Sequence, residues 1–114
     1  MPMLLFTLEH EPGPAWQHER PWQEQDFSAH FAFQQYLAER GLLVGAGPRP
    51  DRPGHGMTLV RAADETEARR LATEVDGSVA GGLLKVTVRP WLVVDGPGLD
   101  GSGLDGPGPG TGEA

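Results

Sequence analysis

The sequence predicts an α+β sandwich, with one antiparallel sheet and two helices on one of its faces. Three observations carry this. Met3 to about Glu9 and Leu84 to Arg89 alternate with the period of a strand. The stretches from about Pro21 to Arg40 and from Ala68 to Val75 repeat apolar residues at helical spacing. With short apolar segments at Leu42–Ala46 and Met57–Ala62, the order becomes strand, helix, strand, strand, helix, strand. That βαββαβ order is the ferredoxin-like one.

Each element has a local justification. Leu4, Phe6 and Leu8 alternate with Met3, Leu5 and Thr7, and apolar residues on both faces read as a central strand. Glu11-Pro12-Gly13-Pro14 then stops the pairing. Pro21 suits a first helical turn, Glu24 and Asp26 suit its dipole, and Arg40 followed by Gly41 suits its end. Phe27, His30, Gln34 and Leu37 form one stripe, flanked by Phe31 and Phe33. A Pro-rich turn from Gly47 to Gly54 separates the second and third strands. Asp64 with Glu67 three residues on is an N-terminal capping arrangement. Asp76-Gly77-Ser78 ends the second helix. Pro90 marks the last strand as an edge, or as one that bulges there. The sheet face away from the helices needs a cover, and Met3, Leu5 and Trp91 point there. A second copy of the chain is the economical cover, so a homodimer through the sheet faces is expected.

Composition bounds the rest. The 114 residues make one domain, expected over residues 1–94. Residues 95–114 repeat Asp-Gly-x-Gly with 8 Gly, 3 Pro and 4 acids but no base, which predicts a disordered tail. The formal charge of −7 and the absence of a basic cluster argue against nucleic acid as a partner. No apolar run approaches the ~20 residues that span a bilayer, and the N-terminal run lacks the pattern of a signal peptide. A soluble cytoplasmic protein without a membrane partner is expected. There is no Cys, which excludes disulfides and thiol chemistry.

Four histidines carry the available chemistry: His10, His18, His30 and His55. No pair has the i, i+4 spacing of a helical zinc site and no HExxH occurs, so no metal site and no cofactor are signalled. Glu9-His10-Glu11 reads as a strand end, where a cation contact is the lesser alternative because two carboxylates and a His are common by chance, and His18 and His55 read as solvated loop residues. Gly45-Ala46-Gly47 precedes no helix that would hold an anion. His30 differs because it lies on or beside the buried stripe. It reads either as a core residue with satisfied ring nitrogens or as a general acid or base oriented by a carboxylate. Asp26, one turn earlier, and Asp76, at the end of the second helix, are the candidate partners, and periodicity does not choose between them.

Several segments together resemble the YCII-related family. They are Gln23-Glu24-Gln25 through His30-Phe31-Ala32-Phe33, then Gly45-Ala46-Gly47-Pro48, then Asp76-Gly77-Ser78-Val79-Ala80-Gly81-Gly82-Leu83, and finally Val88-Arg89-Pro90-Trp91. Their order and spacing cover nearly all of the body and none of the tail. The resemblance implies a ferredoxin-like fold dimerising into an α/β barrel, with a His–Asp pair that falls on His30 and Asp76. Gly77 stands where the family usually has Pro, which predicts a less rigidly aimed Asp76.

Two functions are compatible with this reading. In the first, the protein is a cofactor-free enzyme of lyase or isomerase type. His30 and Asp76 would move a proton, or assist an elimination, on a small cyclic or aromatic organic substrate. Phe33, Gly47, Pro48, Arg89 and Trp91 are the expected substrate-binding residues, with Leu5 as a further wall and Arg49 as an alternative anchor. In the second, the same fold and pocket serve a non-catalytic metabolite-binding or accessory module.

Overall fold

A computed structural model describes residues 2–96. Four strands and three helices alternate along them: β1 (Met3–Pro12), α1 (Ser28–Glu39), β2 (Leu43–Pro48), β3 (Gly56–Val60), α2 (Glu65–Arg70), α3 (Gly77–Ala80) and β4 (Leu84–Val93). The strands form one antiparallel sheet in the order β2-β3-β1-β4. β1 is therefore central and the Pro90-bearing β4 lies at an edge, as the sequence predicts. The predicted tail over 95–114 lies outside the described residues except for Asp95 and Gly96. Among the described residues, no helix is long and apolar enough to cross a membrane.

The core lies on one face of the sheet. Phe6 and Leu8 of β1, Val60 of β3 and Val88 of β4 meet Phe33 and Leu37 of α1 and Ala68, Leu71 and Ala72 from α2 and the turn after it. Strand alternation dictates this set: residues of one parity bury apolar area against the helices at about 25 cal/mol per Å². The opposite face carries Leu5, Thr7, Glu9, Arg89 and Trp91.

Three departures from the sequence expectation shape the functional end. First, β1 continues past Glu9 to Pro12, with His10 facing Val86 across β4 and Gly56 across β3. Gly13 extends the ladder by donating to the Leu83 carbonyl at 2.8 Å. A side chain on Gly13 would run into the backbone of Gly82 and Leu84, so glycine is what permits this approach. The Pro-Gly motif thus follows the pairing instead of stopping it at Glu9.

Second, the first helix starts at Ser28 and not near Pro21. A single 3-10 turn at Trp22–Glu24 precedes it. The buried Gln25 amide ties the connecting loop together, accepting from Gln17 N at 3.0 Å and donating to the Gln17 and Arg20 carbonyls. Asp26 Oδ1 accepts from Ser28 N at 3.0 Å, a local bond that competes with helix.

Third, α2 ends in a π turn, Leu71–Val75, closed by Asp76 N donating to the Leu71 carbonyl at 3.1 Å. Asp76 leaves that turn in an extended conformation and becomes the N-cap of α3. The Asp64 cap of α2 is present as expected, its Oδ1 accepting from Glu67 N at 2.9 Å. β4 runs through Pro90, which lies opposite Phe6, as far as Val93.

Candidate functional site

The central strand, the first turn of α1 and the α2–α3 junction converge at one end of the molecule. His30 Nδ1 lies 3.0 Å from Asp76 Oδ2. This resolves the choice of partner: Asp26 is occupied by Ser28 N, and the long-range carboxylate meets the imidazole. Asp76 is wholly buried and the His30 side chain keeps 12% exposure.

Asp76 is held by two hydrogen bonds on one oxygen. Its Oδ1 accepts from Ser78 N at 2.9 Å and from Ser78 Oγ at 2.6 Å, so the cap of α3 is also the anchor of the carboxylate. Beside Gly77, where the resemblance expects a proline, these two Ser78 bonds are what fix Asp76 Oδ1. Gly77 has a packing reason as well: a Cβ there would stand 3.2 Å from Ala29 Cβ, so its absence lets α1 and α3 approach.

The second oxygen faces two imidazoles. His10 Nε2 stands 3.5 Å from Asp76 Oδ2, and the rings of His10 and His30 meet edge to face with centroids 4.8 Å apart. At that distance His10 makes an electrostatic contact with Asp76 and not a well-formed hydrogen bond. His10 Nε2 is buried with no hydrogen-bond partner. Burial alone raises the Asp76 carboxyl. The imidazoles of His10 and His30 and the Ser78 hydroxyl outweigh it and hold the carboxyl well below the usual carboxylate range. Asp76 is therefore an anion at neutral pH.

The far nitrogen of His30 is also addressed. Gln34, one helical turn on, places its amide nitrogen 3.3 Å from His30 Nε2. With Nδ1–H donating to Asp76, Nε2 is placed to accept from Gln34, the pairing that an Nδ1–H tautomer makes. Ser78 Oγ lies 3.4 Å from the same Nδ1.

The remaining predicted residues divide between two places. Phe33 is buried beneath the site, its ring centroid 6.3 Å from that of His30. Pro48 pairs with Gly56, and Gly56 pairs with His10, so Gly47 and Pro48 lie at the same end of the sheet, two strands away. Arg89 and Trp91 are not brought to His30 within one chain. They share β4's outward parity, with Arg89 at 3.6 Å from Glu9 and Trp91 opposite Leu5. Alternation places Val88, between them and the helices, on the core side. A concavity of about 470 Å³ opens at the start of α2, lined by Leu42, Ala62, Ala63, Asp64, Thr66 and Glu67. None of the candidate residues borders it.

His10 is the residue that the sequence reading leaves at a strand end, apart from His30 and Asp76. Its signal was parity: Leu4, Phe6 and Leu8 continued by two residues puts His10 on the core face. The donor atoms of His10, His30 and Asp76 all lie within 4.8 Å of one another, a set able to share protons or to hold a metal ion. No protein-family model matches the chain, and no curated protein matches it.

Proposed function

We propose that the protein is a ferredoxin-like member of the YCII-related family that uses His30 for general acid–base chemistry on a small organic molecule. One observation carries the reading: an imidazole with partial access to solvent donates through Nδ1 to a wholly buried, doubly anchored carboxylate at 3.0 Å. The strand order and the helices on one face support the fold assignment.

The chemistry follows from this geometry. His30 Nε2 takes a proton from a carbon or oxygen acid, and the Asp76 carboxylate stabilises the imidazolium without accepting the proton. The same Nε2–H then returns the proton to a neighbouring atom or to a leaving group, giving isomerisation or elimination. Gln34 releases Nε2 as substrate arrives. General acid–base assistance of this kind contributes roughly 10²–10⁴ in rate.

The reading includes a homodimer that closes a barrel over the open sheet face. Trp91 supports it, standing exposed on that face opposite Leu5. In the dimer Arg89 and Trp91 serve the interface. Light scattering should give twice the chain mass for the wild type and a single chain mass for Trp91→Glu. A monomeric wild type removes the barrel from the reading.

The functional test is solvent-deuterium exchange into small organic acids and phenols, followed by NMR. Wild-type protein should catalyse exchange or elimination on at least one compound. His30→Gln and Asp76→Asn, shown folded by circular dichroism, should lose it. Compounds that bind and are never turned over support the metabolite-binding module instead, and turnover that survives His30→Gln refutes the assignment of the base.

A further inference from the structure

We infer that His10, His30 and Asp76 form a binding site for one divalent transition-metal ion of the zinc class, using His10 Nε2, His30 Nδ1 and Asp76 Oδ2. The inference does not depend on the acid–base reading. It concerns the same buried end of the fold, loaded with a metal in place of a proton.

The donor set comes first. Two imidazoles and one carboxylate suit Zn²⁺, Co²⁺, Ni²⁺ or Fe²⁺, whereas Ca²⁺ and Mg²⁺ require mostly oxygen ligands. Two of the three spacings approach those of a coordination polyhedron. Asp76 Oδ2 lies 3.0 Å from His30 Nδ1 and 3.5 Å from His10 Nε2, and all three donors fall within 4.8 Å. Ligands at about 2.0–2.1 Å in a tetrahedron are about 3.3 Å apart. A metal ion therefore fits among them once the widest of the three spacings, up to 4.8 Å, closes to about 3.3 Å through side-chain rotation.

The orphaned nitrogen points the same way. His10 Nε2 is buried, directed at Asp76 and without a hydrogen-bond partner. A buried polar atom left so is costly, and a metal ion satisfies it outright.

The surrounding groups match what ligated residues need. Ser78 occupies Asp76 Oδ1 through its backbone N and its hydroxyl, leaving Oδ2 for the ion. Once His30 ligates through Nδ1, its proton resides on Nε2. Gln34 stands 3.3 Å from that atom, and a flip of its amide presents the carbonyl oxygen as acceptor. Such an outer partner is the usual companion of a ligating imidazole. Three protein ligands leave a fourth position for water or an anion, the pattern of an open site and not of a closed structural one. The ion joins β1, α1 and the α2–α3 junction. In the loaded form His30 Nε2 has no lone pair, so metal binding and use of His30 as a base exclude each other.

The test uses the full chain, stripped of metal and dialysed against Zn²⁺, with Co²⁺ as the spectroscopic probe. We expect about one equivalent per chain, a Co²⁺ spectrum of four-coordinate intensity and a raised melting temperature. His10→Gln and His30→Gln should each weaken Zn²⁺ binding at least about tenfold, while a His18→Gln/His55→Gln double variant should leave it unchanged. Should His10→Gln fail to fold, paramagnetic shifts of the His10 ring in the Co²⁺-loaded wild type replace it. Absence of uptake overturns the inference in favour of a proton-only network. Uptake that survives His30→Gln, or disappears with His18 and His55, overturns it in favour of surface imidazoles.

Discussion

Asp76→Asn probes the anchor of the site most directly. The substitution is nearly isosteric, and asparagine retains one oxygen to accept from Ser78 N and Oγ, at 2.9 and 2.6 Å in the wild type. The loss falls on Oδ2. There a donating amide would face His30 Nδ1, at 3.0 Å, and His10 Nε2, at 3.5 Å. A hydrogen bond to a charged group contributes about 1.5–3 kcal/mol, and a buried donor left facing a donor costs about 1–3 kcal/mol more. Removing the buried charge returns part of this, and His30 can relieve some of it by changing tautomer. The expected net loss is about 2–3 kcal/mol at pH 7, a large share of a stability of about 5–15 kcal/mol.

The pH dependence has a definite sign. The Asp76 carboxyl is depressed in the folded chain, against about 3.9 in an unfolded one. As pH falls, the unfolded chain binds the proton first, so the carboxylate's contribution is complete above about pH 5 and is lost towards lower pH. The gap between wild type and Asp76→Asn should therefore be widest near neutrality and narrow at pH 3. Urea unfolding followed by far-ultraviolet circular dichroism at both pH values measures it. A gap under about half a kcal/mol at pH 7, or one of equal size at pH 3, would refute the placement of a stabilised carboxylate at this junction.

Two further outcomes follow from the same contacts. Ser78→Ala removes the 2.6 Å bond to Asp76 Oδ1 but keeps the backbone cap. It should cost about 1–2 kcal/mol in urea unfolding and lower any turnover without abolishing it; an unchanged midpoint would mean that the hydroxyl does not anchor Asp76. Gly13→Ala introduces a methyl where the backbone of Gly82 and Leu84 already stands. It should destabilise by about 1–3 kcal/mol and lower amide-exchange protection at Gly13 and Ala15, which donate to Leu83 and Gly82. A melting temperature equal to wild type would show that the turn opens at no cost.

Much of this protein is determined locally and is legible in the sequence. Strand alternation in Leu4, Phe6 and Leu8, the stripe through His30 and Leu37, the Asp64 cap and the edge character of β4 each depend on residues a few positions apart. The strand and helix order then limits the sheet to few topologies. His30 as the residue to watch also came from periodicity alone. Boundaries were less legible where side chains compete with the backbone. Asp26 bonds to Ser28 N and Gln25 ties a loop, so helix-compatible sequence from Pro21 stays largely non-helical until Ser28.

The site itself was decided by tertiary structure. His30 and Asp76 are 46 positions apart, and only the packing of α1 against α3, through the bare Cα of Gly77 and Ala29, chooses Asp76 over the nearer Asp26. His10 enters because β1 pairs three residues beyond Glu9, which depends on Gly13 meeting the turn before β4. Periodicity records which face a residue occupies, because that face recurs every few positions. It carries no record of which side chain waits across the core, because that neighbour is set by where distant segments end.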